Sequence, residues 1–262
     1  MIPKIIHYTW FSGEEFPEKI KKCIDSWKKY MPDYELRLWD MNAIKDIDSK
    51  FLKEAIQMKK WAYAADMVRC YAVYNYGGIY LDTDVEVFKS FDEYLNCKAF
   101  IGQENSIHRP IIRGRIYSFF LTSHCFGAEK GHIFVKDCLD YYYDRSFILS
   151  NNPRQPQYFR LNMVLMPFIQ CEIALQYGYD PNPFHHNIQN LKDGLTIYPT
   201  NYFDPYKIKK ESVCKHWAVG GWVPKGDSSF PKKNNFFYTG VIWVSQKVLS
   251  IFKILAHTVY AS

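Results

Sequence analysis

No stretch of about eighteen uninterrupted apolar residues occurs in the 262-residue sequence, which leaves no segment able to span a bilayer as a helix. The opening MIPKIIHYTW also lacks the long apolar core of a signal peptide, so the expectation is a cytoplasmic chain. The cysteines (Cys23, Cys70, Cys97, Cys125, Cys138, Cys171 and Cys214) are seven in number and never form a CxxC pair. That pattern suits unpaired buried thiols in a reducing compartment. GxGxxG, P-loop, HExxH and GxSxG signatures are all missing, so a dinucleotide fold and a serine hydrolase have no anchor here. There is no internal repeat, low-complexity tract or clear linker, which points to one domain.

What is present is an apolar, aromatic-rich chain: 48% hydrophobic and 18% aromatic, against 23% charged. This is globular composition, and the aromatics are expected mainly in a core. The net charge of +6 falls entirely after residue 200, where nine lysines face only Asp204, Glu211 and Asp227. A basic excess of this kind suits a nucleotide phosphate, a lipid phosphate or an acidic membrane face. No nucleic-acid module accompanies it, so nucleic acid is not expected as a partner.

Periodicity orders the first part of the chain. Residues 3–10 read as a strand, and Pro17 opens a helix to Tyr30 with Cys23 and Trp27 on one face. Residues 34–39 alternate as a second strand; 50–60 and 61–77 read as helices, the latter capped by Gly77. The apolar run Ile79–Leu81 then leads to Asp82, and a short strand follows through Val85 and Val87. This β-α-β-α-β order predicts an α/β, mostly parallel sheet flanked by helices, with its ligand beyond the carboxyl ends of the strands. Past residue 97 the pattern weakens: 131–146 and 160–177 read as helical, and 191–205 as a strand followed by a Pro-punctuated loop.

The sharpest signal is GGIYLDTDVEVF, residues 77–88. Asp82 and Asp84 stand one residue apart at a strand tip, where like charges repel unless a cation lies between them. Oxygen ligands suit Mg²⁺ or Mn²⁺, although a solvated turn capped by Asp82 is also compatible with the pattern. On the preceding helix Asp66 and Arg69 share a face among alanines. They are either a grip for polar ligand hydroxyls or an ordinary intrahelical ion pair. In CKHWAVGGWVP, residues 214–224, His216 could add a third metal ligand or stand as a structural histidine. His185-His186 is a weaker metal candidate, since neighbouring side chains on a strand point apart.

The set IPKIIHYTWFSG, AADMVRCYAVYNYGGIYLDTDVEVF, YPTNYFDP and HWAVGGW resembles glycosyltransferase family 32. The likeness is dense over residues 1–105, thin over 106–190, and returns at 195–224. It implies a GT-A type, Rossmann-like nucleotide-binding sheet with a helical acceptor-side region. It implies a retaining transferase moving a sugar from a nucleotide-sugar donor, a UDP-sugar first and GDP-mannose second. The acceptor would be a glycan or lipid-linked glycan, in surface polysaccharide (capsule) synthesis. By the matching motifs Trp10 would stack on the base. Asp66 and Arg69 would hold the donor sugar with Tyr80 nearby, and His7 and Gly78 would belong to the same donor-binding set. Asp82 and Asp84 would bind Mn²⁺ or Mg²⁺, and His216 and Trp222 would close over the diphosphate. LNMVLMPF, residues 161–168, stands where the family carries a Gly-Pro element, which leaves the acceptor open.

Within a single domain over 1–262, residues 1–105 form the nucleotide-sugar part, 106–224 the acceptor-side and closing part, and 225–262 a basic extension. From Val241 to Val259 a polar stripe (Gln246, Ser250, Lys253, His257) faces an apolar side, the pattern of an amphipathic helix. Such a helix either docks peripherally on the anionic inner membrane face or packs within the fold or against a second subunit. Nothing sets an oligomeric state. Two rival readings remain. IYLDTDVEV also fits the strand-end motif of haloacid-dehalogenase-type phosphatases, with Asp82 as nucleophile, though no later acidic pair is evident. A non-catalytic nucleotide-sugar-binding protein is the other.

Overall fold

The structure, a computed structural model, describes residues 1–104, 111–112, 115–116, 120–181 and 187–219. The expected helix over 241–259, Trp222 and His185-His186 lie outside the described residues.

The first half follows the expected alternation: β1 (Ile5–Thr9), α1 (Glu18–Tyr30), β2 (Glu35–Trp39), α2 (Lys50–Gln57), α3 (Trp61–Tyr76), β3 (Gly78–Leu81) and β4 (Val85–Val87). Helix α1 begins directly after Pro17, whose fixed φ is already helix-compatible, and buries Ile20, Cys23, Ile24 and Trp27 at helical spacing. Helix α2 starts at Ser49, whose hydroxyl accepts the Leu52 N–H at 3.2 Å. Helix α3 is buried over most of its circumference because it packs against α2, α4 and the strands β1 and β3.

The two glycines after α3 have separate reasons. Gly77 closes the helix at φ 67°, and a Cβ there would come within 2.8 Å of Lys130 N and Pro3 Cδ. Gly78 sits at φ 107°, where a Cβ would meet the Ile5 carbonyl oxygen at 2.7 Å. Glycine lets α3 turn tightly into β3 alongside β1.

The second half contains β5 (Ala99–Gln103), the hairpin β6 (Ile111–Ile112) and β7 (Arg115–Ile116), β8 (Leu121–Ala128) and α4 (Ile133–Tyr143). After these come α5 (Gln157–Arg160), α6 (Met166–Ala174), β9 (Gln189–Asn190), β10 (Leu195–Tyr198), α7 (Thr200–Phe203) and β11 (Cys214–His216). The helix expected over 160–177 is two: the chain leaves the helical region at Leu161 (φ −122°, ψ 144°), and α6 restarts with Pro167 in its first turn.

The main sheet has seven strands in the order β2-β1-β3-β8-β5-β10-β9. Strands β1, β2, β3, β5 and β10 run one way; β8 is antiparallel to both its neighbours, and β9 to β10. This is the mostly parallel α/β sheet flanked by helices that the alternation predicts. Successive strand residues face opposite layers. Tyr80, Ile101 and Phe126 join the core under α2, α3, α4 and α6, while Ile79, Leu81, Phe100 and Cys125 join the core under α1. Strand β4 leaves this sheet and pairs antiparallel with β11, Val85 opposite His216. Helix α1 secures it: Trp27 Nε1–H donates to the Val85 carbonyl at 2.7 Å, and Ser26 Oγ accepts the Val87 N–H at 2.9 Å. All seven cysteines are free thiols, six of them buried.

Candidate active site

Parallel strands β1 and β3 end on the same rim of the sheet, and Asp82 is the first residue beyond β3. Its backbone N–H donates to the His124 carbonyl of β8 at 2.9 Å, and its carbonyl accepts the Val85 N–H at 3.0 Å, closing the Asp82–Val85 turn. Its carboxylate does more than cap a turn. Oδ1 accepts from Tyr80 Oη at 2.9 Å and from Arg69 Nη2 at 3.2 Å. Tyr80 Oη lies 3.1 Å from Thr9 Oγ1, so the ends of β1 and β3 are joined through the carboxylate's own partner.

Arg69 is 4% exposed and Asp66 7%, so the pair is not an intrahelical ion pair in solvent. The guanidinium reaches Asp66 Oδ1 at 3.2 Å, donates to the Ser123 carbonyl at 2.6 Å, and lies 4.6 Å above the Tyr80 ring. Burial opposes its charge, but Asp82, Tyr80 and Asp66 together hold it well above the ordinary arginine value. Burial raises the Asp66 carboxyl to about 7. Arg69 counteracts this, Asp82 reinforces it, and the backbone N–H of Met166, at the start of α6, donates to it.

Asp84 is held from elsewhere. Its Oδ1 lies 3.2 Å from His216 Nε2, its Oδ2 accepts the Val219 N–H at 2.8 Å, and its carbonyl accepts the Trp217 N–H at 3.1 Å. Burial would raise its pKa, but the His216 hydrogen bond and charge, with the Val219 N–H, bring it to about 2. His216 rises to about 9: burial disfavours its charge, and Asp84, then Asp82, outweigh that. The His124 ring stacks on His216 at 4.4 Å and is kept neutral by burial, its pKa lowered to about 3. The ligating atoms of Asp82, Asp84 and His216 all lie within 4.8 Å of one another. Two carboxylate oxygens suit Mn²⁺ or Mg²⁺, an imidazole beside them suits Mn²⁺ better than Mg²⁺, and the imidazolium now beside Asp84 occupies the position of a compensating cation. The residues present therefore fit a divalent ion.

The sequence-predicted set divides. Asp66, Arg69, Tyr80, Asp82, Asp84 and His216 come together. Trp10 follows β1 on the same rim, half-buried, its Nε1–H donating to the Glu14 carbonyl at 2.7 Å and its ring 4.9 Å from Phe16. His7 is wholly buried away from the carboxylates. Trp39 Nε1–H donates to its Nδ1 at 3.1 Å, so the neutral ring carries its proton on Nε2 and donates to the Gly77 carbonyl at 2.8 Å. Gly78 stands at the opposite end of β3, about 13 Å from Asp82 by strand rise. The structure thus brings neither His7 nor Gly78 to the carboxylates: both brace the α3–β3 turn. Trp222 lies outside the described residues.

Three neighbours escaped the sequence reading. His124 sits on β8, a strand whose Thr122, Ser123 and His124 broke any apolar signature. Glu104 follows β5; burial, then Asp204, raise its carboxyl to about 7 while His216 opposes them. Asp204 lies in YPTNYFDP and entered the charge count but not the candidate site.

The site is thus a strand-end carboxylate pair on a mostly parallel α/β sheet, backed by a buried Arg–Asp pair and able to hold a cation. Residues 17–105 match the family described as glycosyltransferase sugar-binding region containing DXD motif. Inositol phosphoceramide mannosyltransferase 3 of Schizosaccharomyces pombe is 34% identical over 142 residues, 51% of this chain and 35% of that protein. Mannosyl phosphorylinositol ceramide synthase SUR1 of Saccharomyces cerevisiae is 34% identical over 137 residues, 47% of this chain and 34% of its own length. The similarity thus spans about a third of each of these two relatives. Among solved structures, PaToxG Glycosyltransferase superposes with a TM-score of 0.44 at 20% identity, covering 67% of this chain and 69% of that one.

Proposed function

We propose that the chain is a metal-dependent glycosyltransferase of GT-A type that moves a hexosyl group from a nucleotide sugar to a glycan or lipid-linked glycan, with retention. The observation that carries this reading is the cluster of Asp82, Asp84 and His216 at the carboxyl rim, beside the buried Asp66–Arg69 pair. Mannosyltransferase in the relatives' names favours mannose as the transferred sugar, and inositol phosphoceramide favours a lipid-linked acceptor.

Asp82 and Asp84 would hold the ion, with His216 joining them as neutral imidazole. Bound there, a divalent cation supplies Lewis-acid stabilisation of the negative charge that develops on the departing diphosphate. The chain's own residues do the positioning. Arg69 fixes Asp82 and keeps Asp66 fixed through the same guanidinium, so two carboxylates hold their places before any ligand arrives. Asp66 offers an acceptor to sugar hydroxyls, and its burial excludes competing water. Trp10 offers a ring to the base. No side chain is needed as covalent nucleophile in a front-face displacement.

In the phosphatase alternative Asp82 would be the nucleophile through Oδ2, since Oδ1 is engaged by Arg69 and Tyr80. A thermal-shift screen of UDP- and GDP-sugars with Mn²⁺ tests the proposal, because a ligand that binds only the folded state raises its melting temperature. Stabilisation that needs both a sugar nucleotide and Mn²⁺ is expected. No shift with any sugar nucleotide would overturn the reading, and shifts without turnover of any donor would favour the non-catalytic binder.

A further inference from the structure

The loop joining α7 to β11 presents apolar side chains to solvent from a fixed backbone. Tyr206 is 80% exposed and Ile208 53%, and the exposed Lys207, Lys209 and Lys210 alternate with them. The backbone is tied at several points. Lys209 N–H donates to Ser212 Oγ at 2.9 Å, Ser212 N–H returns to the Lys209 carbonyl at 3.1 Å, and Ser212 Oγ–H donates to the Asn201 carbonyl at 2.8 Å. A loop pinned this way has not simply failed to fold its apolar residues inward. Trp217 and Val219, each 38% exposed, continue the surface, with Lys19 Nζ and Lys215 Nζ both 5.0 Å from the Trp217 ring. The nearby acids have partners: Glu211 accepts from Asn201 Nδ2 at 2.6 Å and Glu86 from Trp217 Nε1 at 2.8 Å.

We propose that residues 205–219 form a docking surface for an anionic lipid bilayer, with Tyr206 and Ile208 entering the headgroup layer and Lys207, Lys209 and Lys210 meeting lipid phosphates. Composition separates this occupant from others. Protein interfaces favour arginine and are depleted in lysine, whereas this surface carries Lys207, Lys209, Lys210 and Lys215 against Glu211 and no arginine. Aromatic and aliphatic tips flanked by long basic stems are the pattern of membrane-interface anchoring. The surface also opens beside the carboxylate pair, since the same chain segment delivers His216 and the Val219 N–H to Asp84. A docked bilayer would therefore bring a lipid-linked acceptor to the donor site. That consequence rests on the transferase reading; the docking itself does not.

The test uses the full chain and sedimentation with vesicles of phosphatidylcholine, alone or mixed with phosphatidylserine. At low salt the chain is expected to sediment with the mixed vesicles and stay in solution with the neutral ones. Lys207→Gln with Lys209→Gln and Lys210→Gln should lower the partition coefficient on the order of a hundredfold. Tyr206→Ser with Ile208→Ser should lower it roughly tenfold. Thermal stabilisation by sugar nucleotide and Mn²⁺ should be unchanged in both variants, which separates loss of docking from loss of the donor site. A wild-type chain left in the supernatant, or variants that sediment like wild type, would overturn the proposal. So would a wild-type dimer in sedimentation velocity that the same variants turn into monomer.

Discussion

Asp82 and Asp84 stand two positions apart, yet they belong to differently built halves of the site. Asp82 is held by Arg69 and Tyr80, both close in sequence and both buried inside the α3–β3 unit. Asp84 is held by His216 and by the Val219 N–H, 135 positions away, and stays in place only while β11 is docked on β4. The first half is part of the core, so its integrity is a matter of folding. The second is assembled from a late segment, and the β4–β11 ribbon that joins it buries Val85, Val87 and Cys214 in the core under α1.

The largest expected effect lies in the first half. Arg69→Ala strands the buried Asp66 carboxyl and releases Asp82, and should cost about 3–5 kcal/mol of stability in urea denaturation. A loss under about 1 kcal/mol, the worth of an exposed pair, would show that the two halves do not differ in this way.

Activity and stability should respond to both halves. Asp82→Ala and Asp84→Ala should each lower transfer by about 10²–10³-fold or more. Both should also lower the melting temperature, Asp82→Ala by removing a partner of the buried Arg69 and Asp84→Ala by leaving the His216 charge without its carboxylate. Full activity in EDTA, or a wild-type melting temperature for either variant, would break this expectation.

The pH dependence sharpens it. Asp66, facing Arg69, Asp82, Tyr63, Tyr142 and the Met166 N–H, has its pKa raised from 3.8 to about 7 on folding. The folded chain thus keeps a proton that the unfolded chain releases. The contribution to stability is complete below pH 3.8 and declines as pH rises through about 7. Asp66→Asn should flatten that decline between pH 4 and 8 in urea denaturation; an unchanged slope would assign it to other groups.

The smallest expected effect is at Trp10, outside both halves. Trp10→Ala should weaken binding of free UDP or GDP by about 1–3 kcal/mol in calorimetry, with little change in stability because the ring is only half-buried. Unchanged affinity would make Trp10 a packing partner of Phe16 alone.

What the sequence determined by itself is whatever its local pattern encodes. Helical spacing of Ile20, Cys23, Ile24 and Trp27 after Pro17 specified α1, and Gly77-Gly78 specified the turn that only glycine can make against Pro3 and Ile5. The three-residue spacing of Asp66 and Arg69 put them on one face, and the apolar run into Asp82 put the carboxylate pair on the rim. Tertiary structure alone decided how those pieces are used. Strand β8 enters between β3 and β5, and its buried Thr122, Ser123 and His124 read as polar until their partners are known: Thr122 Oγ1 takes the Gly102 N–H at 2.9 Å, and Arg69 takes the Ser123 carbonyl. Burial of the Asp66–Arg69 pair, invisible in spacing, follows from the packing of α3 among α2, α4 and the sheet. His216 faced Asp84 only because β11 pairs with β4, a contact across more than a hundred residues that no local periodicity records. Local order is written in neighbouring side chains, whereas a site built from distant segments exists only once the sheet has set which strand lies beside which.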